Sequence, residues 1–244
     1  MDTSELEPAA QAAAQVDIVI PVPSRERDLA PSVAGLHSFL VTAAPFTARV
    51  TIADGTASYA AWAAASQLAA TFPEVSAIRA PAPGRGRAVR AGWARSRCDV
   101  LAYADTELSI DPAALVPLVG PLLAGHGDLA VGTRLRPGAH PQRSPRREVT
   151  SCGYSLLVQA GLGTGLADPQ CGLKAITRVR ALELLPKTTD DGSFFDAELV
   201  ALARQAGLRI HEVAVNSERD PGSRTSRMRV RRWLSGRNYR GNAA

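Results

Sequence analysis

The sequence predicts an α/β fold with a mainly parallel central sheet flanked by helices, and three observations carry that prediction. Short apolar runs rich in β-branched residues recur up to Gly132, stretches of helical periodicity separate them, and the runs lack the apolar–polar alternation of a half-exposed strand. Strands of that kind are buried on both faces, and parallel neighbours need helical crossovers.

The elements follow in order. Residues 1–15 are expected to be disordered, and the sheet opens with Val16 to Pro21 (VDIVIP). A helix is expected over Leu29 to Ala43, a strand over Arg49 to Ala53, a helix over Tyr59 to Thr71 and a strand over Val75 to Ala80. The helix Arg87 to Arg97, the strand Asp99 to Ala104, the helix Ala113 to Leu123 and the strand Asp128 to Gly132 complete this half. Asp111 and Pro112 stand at the cap and first-turn positions of the last of these helices. The second half changes rhythm. An Arg- and Pro-rich loop, Arg134 to Arg146, leads to a helix carrying Val149, Cys152 and Leu156, a Gly-rich turn and the segment DPQCGLKAI. A helix from about Phe194 to Ala206, with Phe195, Leu199 and Leu202 on one face, precedes a strand from Leu208 to Val215.

The 244 residues, 45% of them apolar and 21% charged, suit one folded domain over residues 16–216. Of 28 basic residues 26 are arginine, and the net charge of +5 is unevenly spread. Arg219 to Arg240 holds eight arginines against Asp220, a local +7, so the remainder stands at −2. Three scattered cysteines form no C-x-x-C pair, and four histidines show no ligand spacing, so a disulfide framework, a thiolate zinc site and histidine-based catalysis are not indicated. The longest apolar stretch, Ala113 to Gly125, has 13 residues, short of the ~20 that span a bilayer. Met1 to Gln15 carries no basic residue, the wrong charge for a secretory signal. A reducing cytoplasm fits these features.

In an open α/β sheet, ligands bind beyond the carboxyl ends of the strands. The first strand exits into Ser24-Arg25-Glu26, the second into Asp54-Gly55, the fourth into Asp105-Thr106-Glu107 and the fifth into Thr133-Arg134. Carboxylates and an arginine converging on one edge suit a divalent cation and a phosphorylated ligand. In Asp105-x-Glu107 an extended backbone puts both carboxylates on one side, towards one metal; the competing reading is an acidic loop capping the helix near Asp111. The run Gly84-Arg85-Gly86-Arg87 lacks the third glycine of a dinucleotide fingerprint. It serves either to present backbone N–H groups and arginines to a nucleotide or phosphate, or simply to start a helix.

Taken in order, VDIVIP with SRERDLAPSVAGLHSFL, TIADG, GRGRAVRAGW, YADTELS, VGTRL, DPQCGLKAI and FFDAELVALARQAGLRIHEVAV resemble the family-2 glycosyltransferases. The similarity runs from about Val16 to Val215 and points to the polyprenyl- and dolichyl-phosphate glucosyl- and mannosyltransferases. The resemblance implies a GT-A fold, with a Rossmann-like nucleotide-binding half and an acceptor half. It implies inverting transfer of a hexose from a nucleotide diphosphate sugar, a UDP-sugar for preference, to polyprenyl phosphate.

The same resemblance implies roles for residues. Asp105 and Glu107 would hold Mg²⁺ or Mn²⁺, and they join Asp196 as catalytic candidates. Pro21, Glu26, Asp54, Arg85 and Asp105 form the nucleotide-sugar-binding set. Arg134, Arg147, Asp168, Gln170, Lys174 and Glu198 form the phosphate- and acceptor-binding set. A phosphate acceptor is already anionic and needs no strong base; a hydroxyl acceptor would, and Asp196 is then the candidate. Asp196 and Glu198 also lie in a first helical turn, where carboxylates favour the helix dipole.

Three departures from the family pattern fall on the donor side. Pro23-Ser24-Arg25 stands where Tyr-Asn-Glu is usual, Gly55-Thr56-Ala57-Ser58-Tyr59 replaces an acidic turn, and Glu107 replaces an aspartate. They leave open a soluble hydroxyl acceptor, or a nucleotide-sugar-binding relative with weakened catalysis. In the tail, residues 217–244, Val230, Trp233 and Leu234 share helical spacing among arginines. That pattern suits a helix lying on an anionic membrane surface, which would place the enzyme on the inner face of the cell membrane. A solvated tail is the alternative, and nucleic acid is not an expected partner, because no stacking aromatics or recognised module accompany the charge.

Overall fold

The computed structural model of the chain describes residues 15–22, 29–56, 58–105, 109–133, 168, 171–192, 194–215 and 217–218. Four parallel strands form the first half: β1 (Val16–Pro21), β2 (Ala48–Asp54), β3 (Val75–Arg79) and β4 (Val100–Ala104), side by side as β3-β2-β1-β4. Their crossovers are α1 (Leu29–Thr42), α2 (Tyr59–Thr71) and α3 (Arg85–Arg95). The strands lie within one residue of the expected bounds. Helix α3 begins two residues earlier than the periodicity suggests, because Gly84, at φ 141, makes the break that caps it.

The second half adds β5 (Ser109–Ile110), α4 (Leu115–Leu123), β6 (Leu129–Thr133), β7 (Leu173–Thr177), α5 (Arg178–Leu184), α6 (Phe195–Gln205), β8 (Ile210–Ala214) and β9 (Ser217–Glu218). As expected, Asp111 starts this half's first helical segment, its Oδ1 accepting from Ala113 N at 2.9 Å ahead of a single 3-10 turn and α4. The central sheet has seven strands in the order β3-β2-β1-β4-β7-β6-β8, and β5 pairs with β9 separately. Strand β7 runs antiparallel to both β4 and β6, the departure from an otherwise parallel sheet.

This strand decides what reaches the active edge. An antiparallel strand starts where its parallel neighbours end, and Leu173 of β7 lies opposite Ala104, the last residue of β4. The DPQCGLKAI segment therefore delivers its lysine to the sheet's carboxyl edge.

Side-chain alternation divides the core into two layers. Ile18 and Ile20 pack with Leu29, Val33, Ala61 and Leu118 beneath α1, α2 and α4. On the other face Val19, Leu101 and Tyr103 pack with Trp93, Ala181 and Phe195 beneath α3, α5 and α6. Each large apolar side chain buried this way contributes roughly 1.5–3 kcal/mol. Trp93 also satisfies its indole N–H, which donates to Ala102 O at 3.1 Å. Among the described residues no helix is long and apolar enough to cross a membrane.

Candidate active site

Four chain segments meet at the carboxyl edge: the exit of β4, the start of β7, the first turn of α3 and the first turn of α6. Asp105 leaves β4 with its backbone N–H bonded to Gly172 O at 2.9 Å, which locks the strand exit to the loop before β7. Tyr103 and Lys174 are directly opposed across β4 and β7. Their side chains therefore share a face, the one covered by α3 and α6.

A chain of alternating charges joins these segments. Arg85 Nη1 lies 3.2 Å from Asp105 Oδ2, and Arg85 Nη2 lies 2.7 Å from Asp196 Oδ2. Lys174 Nζ closes on the other oxygen, Asp196 Oδ1, at 2.9 Å, and donates to Cys171 O at 2.6 Å. The Tyr103 hydroxyl accepts from both cations at 3.4 Å, and their charges stand 5.6 Å and 5.7 Å from its ring centroid. Lys174 is completely buried and Asp196 nearly so, whereas the Arg85 and Asp105 side chains are 26% and 15% exposed. The chain thus runs from the interior to the open edge. Burial pushes the Asp196 carboxyl up to about 7, against the opposing pull of Arg85.

Asp54 sits on the same edge, at the end of β2. Its Oδ1 accepts from Thr56 N at 2.8 Å and from Thr56 Oγ1 at 2.7 Å. Its Oδ2 is buried and accepts no hydrogen bond, with Arg79 Nε 3.9 Å away. Pro21 ends β1 beside Ala53. Asp168 is buried, and its carbonyl accepts from Cys171 N at 3.1 Å, turning the chain into β7. Glu26, Glu107, Arg134, Arg147 and Gln170 lie outside the described residues, as does nearly all of the basic tail. Among the described residues no group of three or more His, Cys, Asp or Glu side chains is gathered for a metal.

Of the two readings of the glycine turn before α3, the helix start is the one seen: Gly84 caps α3, and Gly86 N and Arg87 N both donate to Asp191 O, at 3.0 Å and 3.4 Å. Its glycines permit close backbone approach. A Cβ on Gly86 would lie 2.7 Å from Asp190 O and 2.7 Å from Phe195 Cβ. The Asp191 carboxylate is gripped by Arg87 and Arg90, and Arg90 also donates to Asp190 O at 2.9 Å.

Glu198 likewise turns inward. Its Oε2 accepts from the backbone N–H groups of Thr189 and Asp190 at 2.9 Å each, and its Oε1 accepts from Thr189 Oγ1 at 2.8 Å. Asp190 Oδ1 in turn accepts from Gly192 N, Phe194 N and Phe195 N, at 2.8, 3.1 and 3.1 Å, satisfying N–H groups at the start of α6. The loop over residues 188–192 is therefore a clasp between α3 and α6, and it sets Arg85 and Asp196 against each other. Tyr103, Arg90, Asp190 and Asp191 gave no functional signal in sequence, because their partners lie up to 101 positions away.

An open, mostly parallel α/β sheet with Asp54 and Asp105 at its strand exits, and Arg85 beside Asp105 at the start of α3, has these groups at the edge where sheets of this class bind ligands. Residues 17–183 match the family model described as glycosyl transferase family 2, and the chain belongs to that family. It is 36% identical over 135 residues to the glycosyltransferase AglD of Haloferax volcanii, covering 55% of this chain and 22% of that protein. It is 34% identical over 152 residues to the dolichyl-phosphate β-glucosyltransferase of Mus musculus, covering 58% and 46%. The chain thus spans less than half the length of these relatives. The fold is shared with glucosyl-3-phosphoglycerate synthase from Mycobacterium tuberculosis, crystallised with Mn²⁺ and UDP-glucose, at a TM-score of 0.65 and 19% identity. That likeness covers 93% of this chain and 78% of the other.

Proposed function

We propose that this chain is an inverting, metal-dependent glycosyltransferase domain that moves a hexose from a UDP-sugar to polyprenyl phosphate. The observation that carries this reading is the chain Asp105–Arg85–Asp196–Lys174, which brings a hard carboxylate and a guanidinium together at the edge where such sheets bind nucleotides. The names of the dolichyl-phosphate relatives support the acceptor class.

The residues fit Mg²⁺ or Mn²⁺. Asp105 is a partly exposed carboxylate at a strand exit, and such ions are held through one or two carboxylates together with substrate phosphates. Asp105, with Glu107 as the second ligand, would hold the ion, which when bound offsets charge on the departing diphosphate. Asp54, at the end of β2 on the same edge, is the candidate for reading the base or ribose; its buried Oδ2 accepts no hydrogen bond within the protein. Arg85, beside Asp105, is the guanidinium available to the donor diphosphate when it binds.

The engagement of Asp196 supports a phosphate acceptor. A general base must come within hydrogen-bond reach of the proton that it removes. Both Asp196 oxygens are engaged by cations and the residue is 1% exposed. In this reading it orients Arg85 and takes no proton from the acceptor. A phosphate acceptor needs no base: its anionic oxygen attacks the anomeric carbon, the bond from that carbon to the diphosphate oxygen breaks, and the diphosphate leaves with the electron pair. Arg134, Arg147, Gln170 and Asp168 belong to the acceptor side in this reading, and the basic tail rests on the inner membrane surface.

Purified protein with Mg²⁺ or Mn²⁺, a panel of UDP- and GDP-sugars and a short polyprenyl phosphate provides the test. Sugar transfer to the lipid phosphate is expected. Absence of both transfer and donor hydrolysis with every pair would overturn the reading.

A further inference from the structure

Resting on that reading, we propose that Arg85 is a built-in counter-cation that occupies Asp105 until metal and donor arrive together, and so makes metal binding depend on the nucleotide sugar. The guanidinium spans the site, one nitrogen 3.2 Å from Asp105 Oδ2 and the other 2.7 Å from Asp196 Oδ2.

A divalent cation added alone meets the Arg85 guanidinium beside Asp105, like charge against like charge. Added with the dianionic diphosphate of a nucleotide sugar, it brings an anion that the cation and Arg85 can share. Low surrounding dielectric makes that difference large, since three of the four side chains are at most 15% exposed.

The exchange needs only a side-chain movement. The start of α3 is held by Gly86 N and Arg87 N on Asp191 O and by Arg87 and Arg90 on the Asp191 carboxylate. Asp196 is held from its other side by Lys174. Arg85 Nη2 therefore keeps its 2.7 Å contact with Asp196 as a pivot, while Nη1 leaves Asp105 and turns to a donor phosphate oxygen. The bidentate fork suits the two tasks, which a lysine cannot perform at once.

Mn²⁺ binding, followed by the loss of the free-ion spin signal on full-length protein without nucleotide, tests the idea apart from turnover. Arg85→Met and Arg85→Gln remove the charge, and the glutamine retains a donor for Asp196. Both are expected to bind Mn²⁺ about tenfold more tightly than wild type, the change that loss of one partly buried like-charge contact produces. Adding UDP is expected to tighten Mn²⁺ binding at least tenfold more in wild type than in either variant, on the same arithmetic. Wild-type binding with both variants equal or weaker would overturn the inference while leaving the metal reading intact. No binding by any of the three proteins, with or without UDP, would overturn both.

Discussion

The buried pair Lys174–Asp196 permits a quantitative test of how the active edge is held. Lys174 has no exposed surface, and Asp196 is 2% exposed at the side chain. Removing one partner from a buried ion pair strands the other charge, at about 3–5 kcal/mol. The two single substitutions should not be equal. Asp196→Asn removes the carboxylate paired with Lys174 at 2.9 Å, and the described contacts that stay with Lys174, to Cys171 O and the Tyr103 hydroxyl, are neutral, so it belongs near the upper end. Lys174→Met leaves Asp196 with Arg85 at 2.7 Å, and belongs near the lower end. Combining them removes both charges, so the double variant should recover at least ~2 kcal/mol relative to the sum. Urea unfolding is read at pH 8, above the value of about 7 to which burial raises the Asp196 carboxyl, so the carboxylate is ionised. For a domain of this size each kcal/mol corresponds to about 2–4 °C in Tm. Single variants that lose less than ~1 kcal/mol, or effects additive within ~0.5 kcal/mol, would refute the pair as a coupled buried unit.

Three further outcomes follow from the surrounding contacts. Asp191→Ala removes the carboxylate that Arg87 and Arg90 share, and should lower stability by about 1–3 kcal/mol in chemical unfolding and slow transfer by loosening the clasp near Arg85. Gly86→Ala places a methyl group 2.7 Å from Asp190 O and Phe195 Cβ, and should cost about 1–3 kcal/mol, whereas Gly35→Ala in α1, with nothing within 4 Å, should gain up to ~1 kcal/mol by the same measurement. Asp128 is held down to about 2 mainly by its hydrogen bonds from Arg209, so the folded chain sheds this proton more readily than the unfolded chain does. That stabilisation is complete above pH 4 and is lost as pH falls through 2; because the Arg209 side chain is 56% exposed, its size is about 1 kcal/mol. Unfolding of wild type and Asp128→Asn across pH 2–7 should show a gap that closes only at the acid end.

The half of the fold up to α4 was legible because each strand is a short apolar run and each crossover a helix. Local pattern and tertiary role agree there. β7 was hidden because its lysine interrupts the apolar run LKAIT, and only the opposing Asp196 explains how that lysine can be buried. Helix α5 was hidden by its length, since seven residues give two turns and too little periodicity. The site divides along the same line. Asp54 and Asp105 could be found because they stand at strand exits. The role of Asp196 could not: its place in the first turn of α6 suits a dipole-favouring carboxylate as well as an ion-pair bridge, and Arg85 and Lys174 lie far from it in sequence. The glycines before α3 left a phosphate site and a plain helix start open in the sequence, because the carbonyl of Asp191 that takes their amides lies over 100 positions away.

The measurement that bears most directly on the proposed activity compares two acceptors in one assay. UDP-glucose and Mn²⁺ are supplied with polyprenyl phosphate or with the matching polyprenol, and the lipid products are weighed by mass spectrometry for wild type and Asp105→Asn. A hexosyl adduct on the phosphate alone, reduced about 100-fold or more in Asp105→Asn, is the predicted result for loss of a group that stabilises the leaving diphosphate. Equal transfer to the polyprenol, or undiminished transfer by Asp105→Asn, would contradict the account.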